Sequence, residues 1–438
     1  MHAIGIDIGT TNICLVVIDL QKEILQKKIT FANPFIQTSN AWERIQEPQY
    51  IISQVKDALD TLIGEYTEIV SIGITGQMHG IVYLNQKGEA ISPLYTWQDQ
   101  RGEKLLGEDA TLKEYVETEC DGSLASGYGL ATHLFNKKYQ LVPKDARKIC
   151  TISDYVAYVL VQKKWDVMHA SNAASLGLFD VQKFCFYDTV LDKLDIDKEL
   201  LPEVVNRMEM VGEYRGIPVA VTIGDNQASF AGSVKNVDSE ILINIGTSAQ
   251  ISVLSDQFYK INKSIDVRPY LDGRYLLVGA SLCGGCSYQL LEEFFRGYLV
   301  AAGYEGKSQF DTMNRLAAQF ADFENKLNVS TLFSGTRDDG TMRGSIGNID
   351  LNNFTPGHMI YGFLEGIVRE LFDMYQSMEK VSKKHASGLV ASGNGIRKNA
   401  VMQKIAKEFF GLDLTIPVYE EEAAAGAALV SAECSATV

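Results

Sequence analysis

A chain of 438 residues is longer than one hydrophobic core usually serves, so two domains are expected. Its 46% hydrophobic and 22% charged residues describe an ordinary globular protein, and a formal net charge of -15 argues against binding nucleic acid through its phosphates. No apolar run approaches the ~20 residues that span a bilayer, and no basic leader or apolar signal core is visible, so the expected setting is cytoplasmic and the expected partners are small molecules.

The first element is "GIDIGTTNICLVVI", residues 5 to 18. Ile4, Ile6 and Ile8 alternate with Gly5, Asp7 and Gly9, the two-residue period of a strand. One side therefore reads as core, and the polar side as built for something other than packing. Gly9 lets the backbone turn, so that the amides and hydroxyls of Thr10, Thr11 and Asn12 can point at phosphate oxygens. The chain then returns as a strand. A Walker loop would need G-x-x-x-x-G-K-[ST] and lead into a helix, whereas an ordinary hairpin turn would look the same as this tip. Asp7 is the carboxylate that a hard divalent ion beside phosphates would want; the plainer alternative is a solvated strand-end carboxylate.

A second apolar strand runs into a glycine-bearing loop in "IVSIGITGQMHGIVYL", residues 69 to 84, and "YTWQDQRG" follows at residues 95 to 102. Gln77 and His79 offer hydrogen bonds to a polyol, and Trp97 offers an apolar face to its C–H side. The alternative is a structural histidine, with Asp99 and Arg101 forming a surface ion pair. In "VAVTIGDNQASFAGSV", residues 219 to 234, a strand ends at Gly224 and Asp225 before a small-residue helix. A carboxylate at the C-terminal edge of a strand lies where α/β sites form, and it could accept the proton of an attacking hydroxyl. It could also serve only as the helix N-cap.

The polar "SVKNVDS" near residues 233 to 239 marks the expected domain boundary, because "ILINIGTSAQISV" from Ile241 then echoes the opening hairpin. Asp7 falls on Asn244 and Gly9 on Gly246. Two such tips, facing each other, could clamp a polyphosphate between domains. "ASLCGGCSYQ" supplies a C-x-x-C at Cys283 and Cys286 with no second pair nearby, so a small-residue turn opening a helix is expected there rather than zinc. The seven scattered cysteines fit a reducing compartment better than a disulfide framework. "GLVASGNGIRKNAVMQKIAKEFFG", residues 388 to 411, runs from strand through loop into a helix with Val401, Met402, Ile405, Ala406 and Phe409 at helical spacing, ended by Gly411. The acidic start and Ala/Gly run of "YEEEAAAGAALVSAE" suit a closely packed helix and carry no assigned chemistry. Strands and helices alternate throughout, so the class is α/β.

In this order "GIDIGTTN", "TGQMHG", "WQDQR", "GDNQ", "NIGTS", "SGNGIRKNAVMQ" and "EEAAAGAAL" resemble the FGGY family of carbohydrate kinases over nearly the whole length. The resemblance implies a two-domain actin-like ATPase (ribonuclease H-like) fold with an interdomain cleft, divided as 1–234 and 235–438. It implies Asp225 as catalytic base, and Asp7 with Asp225 beside Mg2+. It also implies ATP phosphates on Gly9, Thr10, Thr11 and Asn12 and on Gly246, Thr247 and Ser248, with Gly393, Asn394, Gly395 and Asn399 on the adenosine side. Gln77, Met78, His79, Trp97, Tyr128 and Asn226 would meet the sugar.

"GYGLATHLF", "ISDYVAYVL", "SNAASLGLFDVQ" and "GASLCGG" are most similar to the sedoheptulose-phosphorylating branch of the family. Kinases of xylulose, ribulose or another polyol are the neighbouring alternatives, and an actin- or chaperone-like ATPase switch is the reading from another class. Departures bear on the sugar: residues 335 to 366 keep part of the family's second signature, Cys283 stands where a polar residue is expected, and "MHASNAAS" has no acidic residue before its Asn. Self-association into a homodimer stays open.

Overall fold

The computed structural model describes residues 1–108, 110–119, 124–162, 167–262, 264–320, 324–336 and 339–437. The opening run forms β1 (His2–Ile8), bends at the Gly9 tip, and returns antiparallel as β2 (Asn12–Asp19) and β3 (Ile24–Ala32). Helix α1 (Pro48–Glu65) then leads into β4 (Ile69–Gly76), which pairs parallel with β1. Among the helices that follow, α2 (Gly129–Lys138), α3 (Ile152–Val161) and α4 (Ala170–Ser175) bear on the site; the chain then enters β5 (Met210–Tyr214) and β6 (Ile217–Ala220). The sheet order is β5-β6-β4-β1-β2-β3, and the two-residue β7 (Ile223–Gly224) pairs parallel with the end of β4 before α5 (Asp225–Ser233).

Both faces of this sheet are covered. Ile4, Ile6 and Ile8 share one core with Leu15, Val17 and the α1 residues Ile51, Val55, Leu59 and Leu62. On the other face Ala3, Cys14, Val16 and Ile18 meet Ala424, Ala425 and Ala428 of the C-terminal helix, Glu422–Ala436. Gly5 and Gly73 are register partners on β1 and β4. A Cβ on Gly5 would lie 1.8 Å from the Ala424 carbonyl oxygen, and one on Gly73 would lie 1.9 Å from that of Ala427. The polar-looking side of β1 is thus tightly packed at Gly5, contrary to the sequence expectation; the side chain that escapes packing is Asp7, at the strand end.

Contacts divide the chain into a first unit of Met1–Ser233, Arg268–Tyr275 and Val418–Val438, and a second of Val234–Val267 and Leu276–Pro417. This differs from an unbroken second domain over 235–438 at two segments. The C-terminal helix joins the first unit because its small-residue surface fits the glycine floor of β1 and β4. Arg268–Tyr275 joins it through backbone contacts such as the Gln227 side-chain amide donating to Pro269 O at 2.7 Å.

The second unit repeats the hairpin as β8 (Glu240–Ile245) and β9 (Ala249–Ser255), within a sheet ordered β10-β11-β9-β8-β12-β13. The remaining strands of that sheet are β10 (Ile265–Pro269), β11 (Tyr275–Ser281), β12 (Gly388–Ser392) and β13 (Leu414–Thr415). Helix α6 (Gly285–Ala301) follows β11, and the 27-residue α7 (Pro356–Ser382) packs Ile360, Leu364, Ile367 and Leu371 into the same core as Ile243 and Ile251. After the one-turn α8 (Asn394–Arg397), α9 (Ala400–Phe410) buries Met402, Ile405, Ala406 and Phe410 and ends at Gly411, whose φ is 63°. Residues 337 and 338 of the partial second signature lie outside the described residues.

The helix-on-glycine packing makes a sharp prediction. Gly73→Ala should lower stability by about 3 kcal/mol, because a backbone carbonyl has nowhere to move. Gly64→Ala, in α1 with nothing within 4 Å of the new Cβ, should be neutral or stabilising by up to about 1 kcal/mol. Urea denaturation midpoints of the two variants provide the comparison.

Candidate active site

β1, β4 and β7 lie side by side and parallel, with Asp7 opposite Thr75, Thr75 opposite Ile223, and Gly76 opposite Gly224. Asp225 is the next residue, so Asp7 and Asp225 emerge at the same carboxyl edge of the sheet. The Thr75 hydroxyl donates to Ile223 O at 2.8 Å and ties β7 to β4. Asp225 is the first residue of α5 itself, and the Asn226 amide donates to its Oδ1 at 3.0 Å.

Each carboxylate keeps a path to solvent but is flanked by protein. Burial raises the pKa of Asp7 to about 7, and the charges of Asp225 and Glu421 push it the same way. Asp225 is also raised, chiefly by burial, while the Asn226 hydrogen bond and the positive charge of Arg268 pull it back. Two desolvated carboxylates of like charge are each costly to ionise without a cation.

The Gly9 tip is braced by buried amides. Asn33 Nδ2 donates to Gly9 O at 2.8 Å, Gln46 Nε2 donates to Thr10 O at 2.7 Å, and the Asn33 backbone N–H donates to Thr11 O at 2.8 Å. Carbonyl oxygens that would repel an anion are thereby turned inward and occupied, while Thr11 and Asn12 stay exposed. Nothing in the sequence singles out Asn33 or Gln46, because their partners, the tip and each other, are brought together only by the fold.

The same network reaches the residues expected to meet a sugar. Trp97 Nε1 donates to Thr10 Oγ1 at 2.8 Å, Thr10 Oγ1 to Gln77 Oε1 at 3.4 Å, and Gln77 Nε2 to Gln46 Oε1 at 2.8 Å. Gln77 and Met78 are buried, with the polar atoms of Gln77 engaged in bracing the tip, whereas Trp97 is 46% exposed. His79 has a left-handed backbone, φ 73°, and its ring stacks on Tyr128 at 4.6 Å with 5° between planes. Its Nδ1 lies 2.7 Å from Ser175 O, which makes Nδ1 the protonated nitrogen.

Asp99 and Arg101 form no surface pair. Arg101 is 2% exposed, donates from Nε to Asp99 Oδ1 at 2.6 Å and from NH1 to Asn136 Oδ1 at 2.7 Å, and lies 4.1 Å over the Tyr95 ring. Asp99 also accepts the Arg44 backbone N–H at 3.0 Å, so the pair anchors the loop carrying Trp97.

In the second unit the tip at Gly246 repeats the carbonyl-inward arrangement. Backbone N–H groups of Gly285 and Cys286, at the start of α6, donate to Gly246 O and Thr247 O, both at 2.9 Å. The C-x-x-C opens α6 and brings Cys283 and Cys286 side by side, with Cα atoms 5.3 Å apart, while Cys14, Cys150, Cys185 and Cys434 stand apart as free thiols. Asn244 Nδ2 donates to Ser392 Oγ at 2.8 Å. Gly393 and Gly395 sit where a Cβ would come within 2.6 and 2.7 Å of Ile245 O, which brings the Asn394 turn against the end of β8. Asn399 is buried and caps α9, accepting the Met402 N–H at 3.0 Å and donating to Asn314 Oδ1 at 2.9 Å, so its side chain is engaged inside the protein.

The sequence profile of the FGGY family of carbohydrate kinases, N-terminal domain, matches residues 2–232, and that of the C-terminal domain matches residues 241–433. The chain belongs to the FGGY family of carbohydrate kinases. It is 26% identical over 476 residues to a sedoheptulokinase of Mus musculus, covering 98% of this chain and 96% of that one. It is 24% identical over 457 residues to a xylulose kinase of Staphylococcus xylosus, covering 98% and 90%. A gluconate kinase from Lactobacillus acidophilus has the same fold, with a TM-score of 0.82 at 20% identity, covering 100% of this chain and 90% of that one. The fold is thus the two-domain actin-like kinase fold. Family members are phosphotransferases that use ATP and a sugar or other alcohol acceptor.

Asp7 and Asp225 suit a magnesium ion. Mg2+ takes one or two carboxylates together with phosphate oxygens and water, and the raised pKa values of both groups mark a place where a cation would relieve like-charge crowding. Among the described residues no three His, Cys, Asp or Glu converge as a closed cage.

The buried ion pair can be tested by itself. Arg101→Met should cost about 3–5 kcal/mol by leaving the Asp99 carboxylate buried without its cation. Adding Asp99→Asn should recover much of that loss in the same thermal or urea denaturation assay.

Proposed function

We propose that this chain is an ATP- and Mg2+-dependent ketose kinase that phosphorylates a primary hydroxyl, with sedoheptulose, giving sedoheptulose 7-phosphate, as the first choice of substrate. The observation that carries the reading is the pairing of Asp7 and Asp225 at one sheet edge, beside a tip whose carbonyls are turned away from a ligand. The sedoheptulokinase and xylulose kinase relatives keep the ketose class in view but leave the individual sugar to experiment.

In this reading Asp225 takes the proton of the attacking hydroxyl. Its Oδ1 accepts from Asn226, which leaves Oδ2 for the sugar, and burial makes the carboxylate more basic than one in water. Asp7 stands on the neighbouring strand to hold the metal. Bound Mg2+ would screen the charge of the phosphates. Thr10, Thr11 and Asn12 are the phosphate-binding candidates of the first unit; within the second, Gly246, Thr247 and Ser248 are the phosphate candidates and Gly393, Asn394 and Gly395 the nucleoside candidates. Asn399 would act there through its cap of α9. Trp97, exposed and fixed by its Nε1 bond to Thr10, gives the sugar an apolar face; His79, Tyr128 and Asn226 give it polar edges. Gln77 and Met78 contribute from beneath, by shaping the pocket floor.

ADP release should be stimulated by sedoheptulose well above xylulose, ribulose, fructose and glycerol. Preference for another ketose would keep the mechanism and change the substrate; indifference to every sugar would favour an ATPase switch. Asp225→Asn should lower kcat about 10³-fold while ATP affinity stays within about threefold. Activity within tenfold of wild type would remove Asp225 as the base.

A further inference from the structure

Helix α4 is six residues long, "ASNAAS", and its polar side chains Ser171, Asn172 and Ser175 are all buried. Burying hydroxyls and amides is unfavourable unless each finds a partner, so their partners indicate what the helix is for. Ser171 Oγ accepts the backbone N–H of Gly224 at 3.0 Å. Asn172 Nδ2 donates to Thr222 Oγ1 at 2.9 Å and to Thr222 O at 3.3 Å. One turn on, Ser175 Oγ accepts the backbone N–H of His79 at 3.0 Å. Residues four apart share a helix face. A single face of α4 therefore grips both the strand that leads into Asp225 and the loop that carries His79.

This grip matters because β7 is only two residues long. On one side it is held by β4 and the Thr75 hydroxyl; on the other, by Ser171, while Asn172 holds Thr222 just before it. The Ser171 hydroxyl is itself oriented. His169 Nδ1 accepts the Ser171 backbone N–H at 3.2 Å and lies 2.8 Å from its Oγ, so the hydroxyl proton points at His169 and an oxygen lone pair faces Gly224. Burial lowers the pKa of His169 to about 4, which keeps that acceptor neutral. Asp154 belongs to the same network: its carboxylate accepts from the Thr151, Thr222 and Asn172 side chains, tying α3 to α4 and to the residue before β7. Ser175 is oriented in the same way, since its Oγ donates to Asn172 O at 2.7 Å and keeps a lone pair for the His79 N–H.

We propose that α4 is a positioning element for phosphoryl transfer, in which Ser171 sets the base Asp225 through the Gly224 amide and Ser175 sets His79 toward the sugar. The inference rests on the ketose kinase reading above. Neither serine touches a reacting atom; Ser171 fixes the backbone one residue before the base and Ser175 that of His79, and sub-ångström placement of a base is worth large factors in rate.

The test is steady-state kinetics of the full chain with ATP and its preferred ketose. Ser171→Ala should lower kcat about 10- to 100-fold, with KM for both substrates within about threefold of wild type. Ser175→Ala should raise the ketose KM about tenfold, leaving kcat within about threefold. Ser171→Thr, which keeps the hydroxyl, should restore most of kcat. A merely structural pair would lower melting temperature and reduce active fraction without splitting kcat from KM. Should Ser171→Ala fail to fold, Ser171→Cys keeps the volume with a weak acceptor and carries the same expectation. An active wild type without the split overturns this inference alone; a wild type that phosphorylates no sugar overturns the kinase reading beneath it.

Discussion

The close seating of the C-terminal helix on the first sheet is the constraint on which the candidate site depends. Gly5 and Gly73 leave a floor without side chains, and the carbonyls of Ala424 and Ala427 occupy the space where Cβ atoms would be. The same helix crosses α5 just as closely, since a Cβ on Gly426 would lie 1.8 Å from Ala228 O. The last segment of the chain thus fixes both the strand that ends in Asp7 and the helix that begins with Asp225. Small residues achieve this because backbones approach until carbonyl oxygens meet Cα atoms, a fit that one methyl group would break.

Electrostatics follow from that packing. Glu421, immediately before the C-terminal helix, adds its charge to that of Asp225 in raising Asp7, while Lys28 holds Glu421 at 2.7 Å. Arg268, brought into the first unit by a short excursion of the chain, acts on Asp225 in the opposite sense. The carboxylates are therefore kept apart in environment although they share an edge. Asp7 is crowded by negative charge and suited to a metal, whereas Asp225 is steadied by a hydrogen bond and a nearby cation and suited to proton transfer.

Much of this was legible in the sequence wherever the signal is local. The alternation of Ile4, Ile6 and Ile8, the strand stop at Gly224, the repeated hairpin at Ile241 and the glycine stop of α9 each appear where the residues put them. The missing features depend on residues far apart in the chain. Asn33 and Gln46 brace the tip through hydrogen bonds that no spacing announces. Asp99 and Arg101 admit a surface pair as an alternative in the sequence because their burial is supplied by Tyr95, Trp42, Phe135 and Asn136 around them. The return of residues 418–437 to the first unit is a matter of surface fit, which helical periodicity does not encode. The positive φ of His79, costly for a non-glycine residue, becomes intelligible only when its partners on α4 are seen.

The most direct measurement is a crystal structure with Mn2+ in place of Mg2+, a non-hydrolysable ATP analogue and the ketose, read by anomalous scattering. The account predicts a manganese peak bound to a carboxylate oxygen of Asp7 or Asp225, directly or through one water, with the phosphates over the Gly9 tip and a sugar hydroxyl on Asp225. Metal and phosphates bound elsewhere, with both carboxylates untouched, would contradict it.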